Sequence, residues 1–120
     1  MDTEGFLTGD DLLVAITRSL VELHERFHGR RPVGAKSLMM DDDLLVSVLS
    51  GIYSEVEKTM IELGRQNDVH ETRRVFDASK RDMFIAEVER LSGRDVLDFV
   101  PSYHVEPDLE VDIFVLAPAH

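Results

Sequence analysis

Apolar residues in this chain recur with two periods. Leu12, Leu13, Ile16, Leu20, Leu23 and Phe27 return at three- and four-residue spacing, which lays one stripe along a helix from about Asp10 to His28. Asp10 and Asp11 suit the positive start of that helix, and Arg26 and His28 its negative end. Gly29-Arg30-Arg31-Pro32 stops it, because glycine follows the last turn and proline bars continuation. Gly34 to Met40 reads as a short strand, Asp41-Asp42-Asp43 as a tight turn, and Leu44 to Leu49 as the partner strand. The run breaks at Gly51. Ser54 and Glu57 then form a capping box: the Ser oxygen takes a free amide at the helix start, and the Glu reaches back to the cap. Gly64 ends this second helix.

After a connection at Arg65 to Asp68, a long helical segment is predicted from about Val69 to Ser92. Val69, Phe76, Met83, Phe84, Val88 and Leu91 are its buried positions. Asp77-Ala78-Ser79-Lys80 weakens the stripe, so a kink would fall there, and Ser92-Gly93 closes the segment. Asp95 to Val105 pairs with Leu109 to Leu116 across Glu106-Pro107-Asp108, with Val111, Ile113 and Val115 alternating against Asp112, Phe114 and Leu116. Pro101 lacks a donor and marks an edge or a bulge. The predicted class is α+β in two layers, order α-β-β-α-α-β-β, a four-stranded antiparallel sheet with helices packed on it. Residues 10–117 would form one domain behind a frayed stretch, residues 1–9.

The strands carry apolar residues on both faces. Leu44, Val46 and Val48 oppose Leu45 and Leu49, and Val111, Ile113 and Val115 oppose Phe114 and Leu116. Either helices cover both faces within one chain, or a second copy covers one of them. Three predicted helices are few for two faces, which favours a homodimer.

Composition narrows the classes of partner. The 120 residues include 24 acids against 13 bases, a formal charge of −11, and no cysteine. Disulfides, thiolate metal sites and thiol nucleophiles are thereby excluded. The overall field repels phosphate backbones and anionic lipid, so no nucleic-acid partner is expected. No apolar run reaches spanning length, and the N-terminus lacks a signal-peptide layout, so a soluble cytoplasmic protein without direct membrane insertion is expected.

Two constellations could carry chemistry. His24-Glu25-Arg26-Phe27-His28 is a literal H-E-x-x-H, which on a helix puts both imidazoles on one face for Zn²⁺, with the Glu as base. Against this, Phe27 belongs to the apolar stripe, and the motif sits in the last turn. A third ligand from His70, Glu71, His104 or Glu106 has no diagnostic spacing. A His pair on the rim of the helix is the ordinary reading, so no metal or other cofactor is expected. Arg26, Arg30, Arg31 and Lys36 cluster around the end of the first helix, opposed only by Glu25. They could hold a small anion or an acidic partner surface, or simply complement the helix dipole. Arg73, Arg74, Lys80 and Arg81 alternate with Glu71, Asp77 and Asp82 and read as ordinary surface pairs. There is no Gly-rich phosphate loop and no G-x-S-x-G elbow. Tyr103 and His104 beside Pro101 are either pocket-lining or plain sheet residues.

Gly29-Arg30-Arg31-Pro32, Gly51-Ile52-Tyr53-Ser54-Glu55-Val56-Glu57-Lys58-Thr59, Arg73-Arg74, Leu91-Ser92-Gly93-Arg94-Asp95-Val96 and Phe114-Val115-Leu116 occur in this order. Together they resemble the "Na⁺-translocating membrane potential-generating system MpsC" domain, also seen in YbcI-like bacterial proteins, over nearly the whole chain. Arg31 stands where that family tends to have Gly, and Tyr103 where it commonly has Asp. The resemblance implies a small cytosolic bacterial protein linked by name to membrane ion or inorganic-carbon uptake systems. It implies no catalytic residues, and His24 and His28 are not part of its pattern. The expected function is a non-catalytic accessory or regulatory homodimer, with an anionic-ligand sensor (nucleotide or bicarbonate) as the alternative and a zinc hydrolase as the remote one.

Overall fold

The computed structural model describes residues 7–118. The expected frayed stretch lies largely outside these residues, and α1 already begins at Gly9. Helix α1 (Gly9–His28) carries its acids at the first turn and ends on Gly29, whose φ of 69° lets its N–H reach Glu25 O. Strands β1 (Gly34–Met40) and β2 (Leu44–Ser50) form the expected hairpin. Its turn holds Asp41 and Asp42 at φ 53° and 65°, a left-handed geometry that Asp tolerates better than most residues. Helix α2 (Glu55–Glu62) opens on the predicted capping box: Glu57 N donates to Ser54 Oγ at 3.2 Å, and Ser54 N donates to Glu57 Oε1 at 2.9 Å.

The long helical segment is divided. Helix α3 (Gln66–Arg74) and helix α4 (Asp77–Ser92) meet at Val75 and Phe76, where tight i+3 bonds from Val75 N to Thr72 O and Phe76 N to Arg73 O close the first helix. Phe76, expected in the core, is instead exposed at this break, its ring 6.2 Å from that of Phe27 and 6.1 Å from that of His28. The rest of the order α-β-β-α-α-β-β stands as read, closing with β3 (Val96–His104) and β4 (Leu109–Leu116).

All pairings are antiparallel, in the order β1-β2-β4-β3. Pro101 therefore lies on an edge strand, where a residue without a donor is tolerated. The irregularity in β3 falls between Val96 and Asp98. Leu45, Phe114 and Leu116 turn to the helices and join Leu12, Ile16, Leu20, Phe84 and Val88 in the core, while Leu49 packs with Val21, Ile52, Tyr53 and Val69 in a second cluster. The opposite face of the sheet stays uncovered among the described residues. Leu38, Val46, Ile113 and Val100 cross it side by side, flanked by Leu44, Val115, Val48 and Val111, and none of these enters the packed core. Helices on both faces, one of the two sequence-derived alternatives, are not what the fold adopts.

Candidate functional site: a charged layer inside the core

Period two puts Glu110 and Asp112 on the same face of β4 as Phe114 and Leu116, which is the helix-covered face. Both carboxylates are therefore buried. Period 3.6 does the same for Lys80, one turn before Phe84 and two before Val88 on α4, and for Arg73, one turn after Val69 on α3. Lys80 Nζ donates to Glu110 Oε1 at 2.8 Å and to the Tyr103 hydroxyl at 3.3 Å. From α1, His24 brings Nε2 to 3.9 Å from Glu110 Oε1, while its Nδ1 lies 3.2 Å from Arg30 O. Arg73 clasps Glu57 with Nε and Nη2, each at 2.8 Å, and donates Nη2 to Ile52 O at 2.7 Å. Its guanidinium also sits 4.8 Å from the centre of the Tyr53 ring.

Burial and these neighbours set the protonation. Burial pushes Glu110 up, but the Lys80 ammonium and hydrogen bonding more than offset it, leaving the carboxyl below its ordinary value and ionised. Asp112 goes the other way: burial first, then the Glu110 charge, hold it well above the usual carboxylate range. Burial and the Lys80 charge press His24 down to about 4; burial and the Arg73 charge press His28 down to about 2. At neutral pH the layer thus holds an ionised Glu110 and two neutral imidazoles, with Asp112 shifted toward its protonated form. Its His24, Glu110 and Asp112 side chains are fully buried.

The reading of Arg73 and Lys80 as surface cations is corrected by this packing, since each is only 3 % exposed. The signal was present in their spacing from Val69 and Phe84, but interleaved acids masked it. Arg74 does make a surface pair, with Glu71 at 3.3 Å, and Arg81 donates to Phe99 O at 3.1 Å. The predicted basic cluster is dispersed. Arg30 turns inward, donating Nε to Gly51 O at 3.2 Å, and Arg26 borders the groove between α1 and α4 beside Glu22 and Glu87. Arg31, paired with Glu25 at 3.3 Å, and Lys36 instead line a cleft of about 450 Å³ with Arg18, Leu13, Val14, Val21 and Thr17. Arg18 was not foreseen. It is brought to Arg31 by α1 lying along the edge strand β1.

A family described as Na⁺-translocating membrane potential-generating system (MpsC) matches residues 9–118. The chain belongs to the MpsC family. No curated protein matches it, and no solved structure does. The MpsC description ties its members to a Na⁺-linked membrane system, yet no helix of the described residues is long and apolar enough to cross a membrane. The H-E-x-x-H imidazoles of this MpsC chain pack against each other at a tilt of 54°, with centroids 4.7 Å apart. His24 is fully buried, and no group of three or more His, Asp or Glu residues converges to hold a metal ion among the described residues. Tyr103 joins the layer as a partner of Lys80.

Proposed function

We propose that the chain is a non-catalytic accessory or regulatory subunit, cytoplasmic and homodimeric, serving a membrane ion or inorganic-carbon uptake system. The observation that carries this reading is the uncovered apolar face of the sheet, and its occupant is a second copy of the chain. The apolar block of Val46, Val48, Val111 and Ile113 lies at the centre of the four strands, while Ser50, Ser102 and His104 lie toward one end. An apolar centre with polar margins suits a self-complementary contact. Four strands about 4.8 Å apart and seven residues rising about 3.3 Å each make a face of roughly 450 Å². Two such faces bury roughly 900 Å², below the about 1,200 Å² of standard interfaces, so the pair is reversible. Arg18 and Arg31 then remain outside the interface for an acidic surface on the membrane partner.

Sedimentation velocity across a concentration series tests the dimer. The wild type should shift from monomer to dimer, and Ile113→Lys should stay monomeric with an unchanged far-UV spectrum. A wild type monomeric at its highest soluble concentration removes the reading. Cross-linking in cells with solubilised membranes tests the docking. A transporter subunit should be recovered with the wild type and lost with Arg18→Glu/Arg31→Glu; recovery of the chain's own copies alone counts against it.

One observation favours a second reading. The cleft bordered by Arg18, Arg31 and Lys36 combines cations with the apolar side chains Leu13, Val14 and Val21, a suitable lining for a small anionic ligand such as a nucleotide or bicarbonate. A saturable melting shift with one of these, abolished by Arg31→Ala, would select this sensor role, and no shift with either would dismiss it.

A further inference from the structure

We infer that a separate cleft, between α3, α4 and β3, binds a small oxyanion. It measures about 220 Å³ and is lined by His70, Arg73, Arg74, Asp77 and Tyr103. That volume accommodates a phosphate, a sulfate or a short carboxylate and excludes a nucleotide.

The side chains lining the cleft are mainly donors. Arg73 is 3 % exposed, and its Nε and Nη2 are committed to Glu57 and Ile52 O, but Nη1 is buried with no hydrogen-bond partner. A guanidinium edge held in this way is preorganised, because Glu57 and the Tyr53 ring fix its plane before any ligand arrives. His70 Nε2 is likewise buried and unpartnered, and it donates in the tautomer that carries the proton there. The Tyr103 hydroxyl accepts from Lys80 and keeps its own proton to give. Arg74 closes the set from the exposed side, held only by a surface pair with Glu71. Buried donors left unsatisfied are costly, and an oxyanion offers several acceptors to converging N–H and O–H groups at once. The one acid in the lining, Asp77, sits at the first turn of α4. Its charge disfavours densely charged anions, which selects for monoanions over dianions. The site lies apart from the cleft of Arg18 and Arg31 and stands or falls independently of it.

Isothermal titration of the full chain with acetate, dihydrogen phosphate or sulfate, against chloride at matched ionic strength, tests this. Binding of acetate or phosphate should be saturable and stronger than that of chloride. Arg74→Ala and His70→Gln should each weaken it tenfold or more, while Arg31→Ala leaves it unchanged. Both cleft variants keep the Arg73–Glu57 pair, so loss of folding does not cloud the result. Heat indistinguishable from chloride overturns the inference. So does binding that survives both cleft variants, or binding abolished by Arg31→Ala.

Discussion

Lys80 of α4 and Glu110 of β4 meet at 2.8 Å where neither side chain is more than 3 % exposed. Their attraction operates in a medium that penalises either charge alone, so each is tolerated only in the presence of the other. Lys80→Met should strand an ionised carboxylate and cost about 3–5 kcal/mol. Adding Glu110→Leu to it should recover most of that loss, since two apolar side chains replace the pair. Urea denaturation of the single and double variants checks both, and a Lys80→Met penalty below about 1 kcal/mol would show that the pair is not buried as described.

The same layer gives stability a definite pH dependence. His24 and His28 stay neutral in the fold down to about 4 and about 2, whereas in the unfolded chain they take protons below about 6.5. The unfolded state therefore binds more protons as pH falls. The stability tied to these residues is complete above pH about 6.5 and lost progressively below it. Asp112 has the opposite sign: the fold retains a proton that the unfolded chain releases above its ordinary value, so its contribution falls as pH rises. Two histidines outweigh one aspartate, so stability should rise with pH from about 4.5 toward 6. His24→Gln should flatten this slope, and Asp112→Asn should steepen it, both read from urea midpoints across that window. A flat wild-type profile would show that the imidazoles titrate normally.

Gly51 is fixed by its surroundings. Its φ is +63°, and a Cβ added there would lie 2.5 Å from Val33 Cγ2, whereas at Gly29, with φ +69°, nothing stands within 4 Å. Gly29→Ala should cost only the left-handed penalty, about 1–2 kcal/mol. Gly51→Ala adds a steric clash and should cost at least about 1 kcal/mol more. Thermal melting of the two variants compares them, and equal melting points would mean that Val33 moves aside freely.

Glu57 caps α2 and anchors Arg73, and both interactions together hold its carboxyl below the usual range although burial opposes this. Ser54→Ala should remove one cap bond and about 1 kcal/mol. Glu57→Ala also leaves the Arg73 guanidinium without its counter-ion and should cost about 3 kcal/mol or more. If the two variants were equally stable, the ion pair would contribute nothing beyond the cap.

Local structure was legible wherever a residue acts through its own backbone. The capping box at Ser54, the stop at Gly29 and the hairpin turn at Asp41 follow from short-range sterics and hydrogen bonding, and neighbouring sequence supplies all of that. The break at Val75 was visible only as weakness in the stripe, since either a kink or two helices would satisfy the same pattern. The charged layer was harder to see. Glu110 and Asp112 stand at core parity on β4, yet a polar residue at such a position signals burial only once its countercharge is located.

The sequence by itself determined the elements, their order, the two apolar faces of the sheet and the acidic balance of the chain, because periodicity and turn chemistry are local properties. Tertiary structure alone decided which face the helices cover and that Lys80 reaches Glu110 thirty residues away. It also placed Arg18, rather than Arg30, beside Arg31. Those outcomes depend on how α1 and α4 lie across the strands, and charges distant in sequence acquire their low-dielectric surroundings only when that packing is complete.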